Sequence, residues 1–498
     1  MRMNKFSNFV LAGLVLSIAA SLGCNQTTQT ASAGASDSGK IPITTSSDEA
    51  KKEFVQGRDL FERLQANDSL QHFDKALTLD PTFASAELAR ANSAPTTKEF
   101  FDHLNKSVSL AEKASEGEKL QILAAQAGTN GDAVKQKEYL EKLVATYPND
   151  ERAHFALAGY HFGQQEMGAA VEHYKKATEL APTYSTAYNL LGYAYRQQGD
   201  YGNAEQAFKK YIELIPSDPN PYDSYAELLL KMGRFDESIA QYQKALQIDP
   251  RWIPGHFGIA ADLMYQNKWP DAETELQKLA DSAQNDGELR TAYFGMAVVA
   301  SDSGHLDKAL AAMDKEYAVA QKKNDVASMA ADLQAKGNIL AEMPKYDDAA
   351  KTFERSLQMI EGSDLSQEIK DNAKLLHHFN MAALAISKKD YAAAQTHADE
   401  YLKGAQVSKN PAQMKQAHEL AGRIALVQKD YDKTIAELQQ ANLQDPRNVY
   451  RLSMAYQAKG DSAKAHEMCK KAAEFNSLPQ LNYAFIRTKA QKMVGGKA

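Results

Sequence analysis

Cysteine and tryptophan are nearly missing from this chain. Two cysteines in 498 residues, Cys24 and Cys469, exclude a disulfide framework in any compartment. Two tryptophans, Trp252 and Trp269, are few for a protein that grips sugars by stacking. Neither sign of charge prevails. The 57 basic and 64 acidic residues are interspersed, for a formal net charge of −7, and leave no electrostatic footprint for nucleic acid. No phosphate-cradling P-loop, dinucleotide-binding glycine pattern, G-x-S-x-G or H-E-x-x-H occurs. The chain is therefore expected to be no enzyme, with no cofactor and no metal.

What is present is a repeated helical pattern, clearest at residues 185–218, STAYNLLGYAYRQQGDYGNAEQAFKKYIELIPSD. Tyr188, Leu191, Gly192 and Tyr195 fall at i, i+3, i+4 and i+7, one face of an α-helix. Gly199-Asp200 breaks the pattern, the glycine suited to a left-handed helix end and the aspartate to capping the next helix. Ala204, Phe208 and Tyr211 share one face of a second helix, which Pro216 stops. Neither helix buries its stripe alone, so the unit needs neighbours.

This unit resembles a tetratricopeptide repeat (TPR). The family's 34-residue pattern is matched by Tyr188, Leu191, Gly192, Tyr195, Ala204, Phe208 and Pro216, and departs at Tyr211, where alanine is usual. Similar units run from about residue 50 to 494, roughly twelve in all. The resemblance implies an all-α, right-handed superhelical solenoid, first helices lining an inner groove and second helices outside. Between residues 253 and 415 the spacing rises from 34 to about 37–45, so helices or loops there are longer. The polar stretch Gln284, Asn285, Asp286, Gly287 marks a soft boundary between an N-terminal array, 48–286, and a C-terminal array, 287–498. Residues 478–494 lack a partner helix and read as a cap over the last repeat.

Residues 1–23 read as a targeting segment. Arg2 and Lys5 precede an apolar run, 9–20, that is too short to span a bilayer comfortably. The run ends in Ser21-Leu22-Gly23-Cys24, which resembles a bacterial lipobox with leucine one position late. That resemblance implies that Cys24 is lipidated and anchors the chain in the bacterial envelope. Asn25 beside it is not the aspartate of inner-membrane retention, which leans towards the outer membrane. Residues 24–47 hold almost no large apolar side chain and read as a flexible tether.

Functional side chains are sought on the first helices, which the resemblance places along the groove. Phe155, Phe257 and Phe294 occupy one repeat position, with Phe162, Tyr193 and Tyr265 beside them. Exposed aromatics on such a wall anchor partner segments. The same positions also favour large side chains for packing between repeats. The lysine and asparagine set by which some TPR proteins clamp C-terminal carboxylates is absent. His154, His256, His378 and His418 share position 4 of their repeats and read as core-edge residues, and Cys469 reads as a buried inert thiol. The expected function is a non-enzymatic scaffold whose partners are other proteins or peptide segments, with a lipid contact to the membrane. The alternative is a glycan-binding outer-membrane lipoprotein of the starch-utilisation type, against which stand the unbroken array and the scarcity of tryptophan.

Overall fold

Alanine, leucine and long charged residues at a 3.6-residue period fold into α-helices, and among the described residues there is no strand. The structure is a computed structural model that describes residues 39–495, apart from 64 and 409; Cys24 and the targeting segment lie outside them. Helices α1 (Asp48–Glu62) to α10 (Tyr201–Leu214) and α13 (Ile253–Tyr265) to α24 (Ser462–Ala473) pair into eleven hairpins, odd-numbered helices first; α11 (Pro219–Lys231) and α12 (Phe235–Ile248) come between them, and α25 (Leu481–Val494) follows. The chain is an all-α solenoid. No helix among the described residues is long and apolar enough to cross a membrane.

The hairpin turns share one construction. Gly199 ends α9 (Ser185–Gln198) in the left-handed region, with φ 81°, and Asp200 caps α10 (Tyr201–Leu214) by accepting from the Asn203 amide at 3.2 Å. Gly131-Asp132 and Gly460-Asp461 repeat the device. Elsewhere Gln165, Asn267, Lys389 and Lys429 adopt φ of 62–65° in the same turn, a strained choice for residues with a Cβ.

Within each hairpin the helices touch through a small residue. A Cβ on Gly192 would lie 2.7 Å from the fully buried Phe208 ring, and one on Gly337 would lie 2.2 Å from Phe353. Tyr211, large where alanine was expected, is fully buried and donates its hydroxyl to Asn220 Oδ1 at 3.1 Å. Its ring fills space that alanine would leave empty.

The wider spacing after residue 253 comes from helix length. α15 (Asp286–Asp302), α17 (Val326–Glu342) and α21 (Pro411–Val427) each have 17 residues, and α19 (Gln367–Ser387) has 21. Each adds one or two turns ahead of the expected repeat start. Whole turns keep the apolar stripe on the same face.

The described residues form two compact units, divided between Leu228 and Leu229. At the polar stretch 284–287, Asn285 caps α15 and Asp286 and Gly287 are its first residues. Ala272 and Leu276 before it share a core with Val298 and Ala309 after it.

In the first unit, the end of the stretch read as a tether is held down. The Ile41 amide donates to Asp150 at 2.9 Å, the Thr44 amide to Glu118 at 3.0 Å, and the Thr45 hydroxyl to Asp80 at 2.6 Å. Lys40 pairs with Glu151, and Ile41 packs beside Leu143 and Tyr147. Carboxylates at successive repeat junctions thus hold this polar segment, a register that composition does not encode.

Candidate partner-binding faces

First helices of adjacent hairpins pack on one another: α3 (Ala84–Asn92) on α5 (Glu116–Thr129) in the first unit, and α13 (Ile253–Tyr265) on α15, α19 on α21 and α21 on α23 (Pro446–Ala458) in the second. Among the described residues, no two second helices pack on one another as closely. The six aromatics singled out in the sequence lie on first helices, and all six pack into the array.

In the first unit, the Phe155 ring meets Tyr174 edge-on at 5.6 Å and lies 5.1 Å from Tyr184. Phe162 is half-buried against the cluster of Ala158, Ala170 and Leu191. Tyr193 is half-buried. Its ring meets Phe208 edge-on at 5.2 Å, its hydroxyl donates to Ser224 at 3.2 Å, and the Arg196 guanidinium sits 4.7 Å over its face. Arg196 in turn reaches Glu227 at 2.9 Å.

In the second unit, Phe257 and Phe294 flank the core around Ala260 and Val298. Tyr265 is only 7 % exposed, because the chain's own C-terminal segment covers it. Its hydroxyl donates to the Ser477 carbonyl at 2.8 Å and accepts from the Ser477 amide at 3.2 Å. Burial pushes that hydroxyl up to about 12. Phe235 stacks on its ring at 5.7 Å.

The expected cap, α25, therefore does more than cover the last repeat. Ile486 and Ala490 close that repeat with Val449, Cys469 and Ala472. On another side, Leu481, Ala484 and Phe485 enter the core formed by α13–α16, α16 being Leu306–Lys322. Arg487 is the polar centre of this contact. Its Nε donates to Asp302 Oδ1 at 2.7 Å, and its Nη2 donates to Asp302 Oδ2, to Asn267 Oδ1 at 2.8 Å and to the Met264 carbonyl at 3.2 Å. The Trp269 indole also donates to Asp302, at 2.8 Å, so that ring is committed to the fold. Nothing in the pattern around Arg487 announced a partner 185 positions away.

The position-4 histidines reach across their hairpins to the residue 19 positions on. His154 faces His173 at 3.0 Å and His378 faces His397 at 3.1 Å, Nδ1 to Nδ1. His256 meets Glu275 at 2.5 Å and His418 meets Glu437 at 2.7 Å. Burial, then the neighbouring imidazoles, lowers His173 and His397. Among the described residues no group of three or more side chains is arranged to hold a metal. Cys469 is buried, donates to the Ala490 carbonyl at 3.4 Å, and is pushed up by burial.

Models of the tetratricopeptide repeat match residues 185–218 and 219–252, and a TPR repeat model matches residues 160–199. These residues carry TPR repeats. No curated protein matches the chain. Among solved structures, it is similar to a tetratricopeptide repeat protein from Parabacteroides merdae at 16% identity, covering 52% of this chain and 98% of that one, with a TM-score of 0.40. It is also similar to MamA from Desulfovibrio magneticus, at 16% identity over 34% of this chain and 99% of that one, TM-score 0.32. A thermophilic TPR protein from Thermus thermophilus gives 22% identity over 43% of this chain and 98% of that one, TM-score 0.28.

Proposed function

We propose that this chain is a non-enzymatic scaffold that binds segments of other proteins on the inner faces of its repeats. We further propose that a lipid on Cys24 holds it in a bacterial envelope, at the outer membrane. The observation that supports the binding role is that first helices of the second unit take up a further helix of the chain, α25, through apolar side chains and Arg487. The same chemistry of apolar sockets and converging polar groups recognises helices in trans. In the first unit, Phe162 and Tyr193 are half-buried, so each keeps surface for a ligand to cover. The anchor rests on the Gly23-Cys24 junction behind a short apolar run.

Two measurements test the reading. Cys24→Ala is expected to abolish fatty-acid labelling and release the protein from membranes; unchanged partitioning overturns the anchor. Capture from solubilised envelopes, with bound proteins identified by mass spectrometry, is expected to weaken in Phe162→Ala and Tyr193→Ala. Equal capture by variants that retain their melting temperature overturns the groove.

A further inference from the structure

Three charged side chains meet where α15, α16 and α17 pack together. Arg290 of α15 donates to both oxygens of Asp332 on α17, Nη1 to Oδ2 at 2.7 Å and Nη2 to Oδ1 at 2.8 Å. Its Nη1 also donates to the Glu316 main-chain carbonyl on α16 at 3.0 Å, and its Nη2 stands 3.1 Å from Glu316 Oε1. Both carboxyls are buried, Glu316 at 6 % exposure and Asp332 at 3 %. Glu316 Oε2 is sealed from solvent and receives no hydrogen bond from any described residue.

One guanidinium therefore faces two carboxyls. With both ionised, an uncompensated negative charge would be held away from water, which costs more than holding a proton. No second cation redresses the balance among the described residues. Asp325, the N-cap of α17, adds another negative charge near Arg290. The other charges that cross these helices, Lys336 with Asp314 and Lys323 with Asp286 at 3.8 Å, are matched pairs at the surface. Burial first and Asp332 next push the Glu316 carboxyl up to about 8, against the pull of Arg290.

We propose that Glu316 and Asp332 share one proton, and that this proton is a releasable clasp joining the α15–α16 hairpin to α17. While it is held, the O–H of one carboxyl donates to an oxygen of the other, and Arg290 balances the single charge that remains. When the proton passes to solvent, the two carboxylates repel each other across the helix contact and the junction loosens. An opened chain ionises Glu316 in the ordinary glutamate range. The contact therefore loses stability as pH rises from that range and is weakest above about pH 8. The clasp is independent of what the inner faces bind.

The test follows the full chain from pH 7 to 9. Hydrogen exchange, corrected for its intrinsic pH dependence, reads the opening of each helix. In the wild type, opening of α16 and α17 should rise at least tenfold more over this range than opening of α21. Glu316→Gln keeps the side chain's shape without a proton to release. It should abolish that excess and melt higher than the wild type at pH 9. Asp262, whose carboxyl also stands near 8, is common to both proteins and cancels from the comparison. Asp332→Asn should likewise abolish the excess, because the Glu316 carboxylate then has Arg290 to itself. The double variant strands Arg290 without a carboxylate and should melt below either single variant at every pH. A wild type whose α16 and α17 show no excess opening overturns the proposal, as does an excess that persists in the folded single variants.

Discussion

Gly192 leaves no room for one more methyl group. A Cβ there would stand 2.7 Å from a Phe208 ring atom, and that ring is fully buried and cannot swing away. Gly192→Ala is expected to cost about 1–3 kcal/mol through overpacking, outweighing the better helix propensity of alanine, and urea denaturation checks it. This contact was legible in the sequence, since small and aromatic residues recur at fixed offsets. The histidines were legible only in part. Their place at a core edge could be read from position 4, but not the partner 19 residues on, because several polar residues on the second helix compete for that role. The two His–His pairs set an acid limit. In the fold, His173 is lowered from its ordinary value of 6.5 by burial first and by His154 next, with His161 and the carboxylates of Glu172 and Glu141 nearby. An unfolded chain therefore takes up its proton first, so stability is full above about pH 6.5 and declines as pH falls below it. His173→Gln should flatten the dependence of melting temperature on pH between 7 and 5.5. A burial effect of opposite sign acts at Asp262, whose carboxyl burial pushes up to about 8 against the bond from Ser238. Its protonated form is the one the core accepts, so the associated stability is present below the ordinary carboxylate range and lost as pH rises through 8. Asp262→Asn should stabilise the protein at pH 9 by at least about 1 kcal/mol more than at pH 4.

At the scale of elements, hairpins could be read from the sequence and the segments that cross them could not. A hairpin announces itself by periodicity, a turn glycine and a capping aspartate, all within about 34 residues. The segment at 40–47 and α25 are fixed by partners far away in sequence, and each uses polar groups that look like ordinary surface residues. Asp80 illustrates this. Burial alone would raise its carboxyl, yet hydrogen bonds from the Thr45 and Thr82 hydroxyls and the Thr82 and Ser46 amides hold it down to about 2. Those bonds contribute stability that is full above the ordinary aspartate range and lost as pH falls through about 2. Asp80→Asn removes the charge from four charge-assisted contacts and should cost about 1.5–3 kcal/mol. The loss should show as faster proteolysis near residues 40–47 at neutral pH, with the helices of the first unit otherwise intact by circular dichroism. Unchanged cleavage would mean that the neighbouring contacts, Ile41 to Asp150 and Thr44 to Glu118, hold the segment without it.

At the scale of the whole molecule, an open array of hairpins should behave as a chain of nearest neighbours, in which damage stays where it is made. The second unit departs from that rule because one helix touches hairpins that the sequence sets far apart. α25 packs on α23 and α24 through Ile486 and Ala490, and on α13 and α15 through Phe485 and Arg487. A purely local account predicts that weakening α25 loosens the last hairpin alone. The structure predicts a different pattern for Arg487→Ala. Removing the guanidinium leaves Asp302 buried with the Trp269 indole as its partner among the described residues, a loss of about 3–5 kcal/mol for a broken buried pair, and releases Phe485 from the core beside it. Exchange should therefore accelerate in α13 and α15 and in α23 and α24 together. α20 (Tyr391–Ser408), whose core with α19 and α21 includes no residue of α25, should keep its protection. Loss confined to α23 and α24 would mean that the contact at Asp302 adds nothing to the unit. Loss spread evenly through α19 and α20 would mean that the unit unfolds as one block, with no hairpin-by-hairpin stability at all.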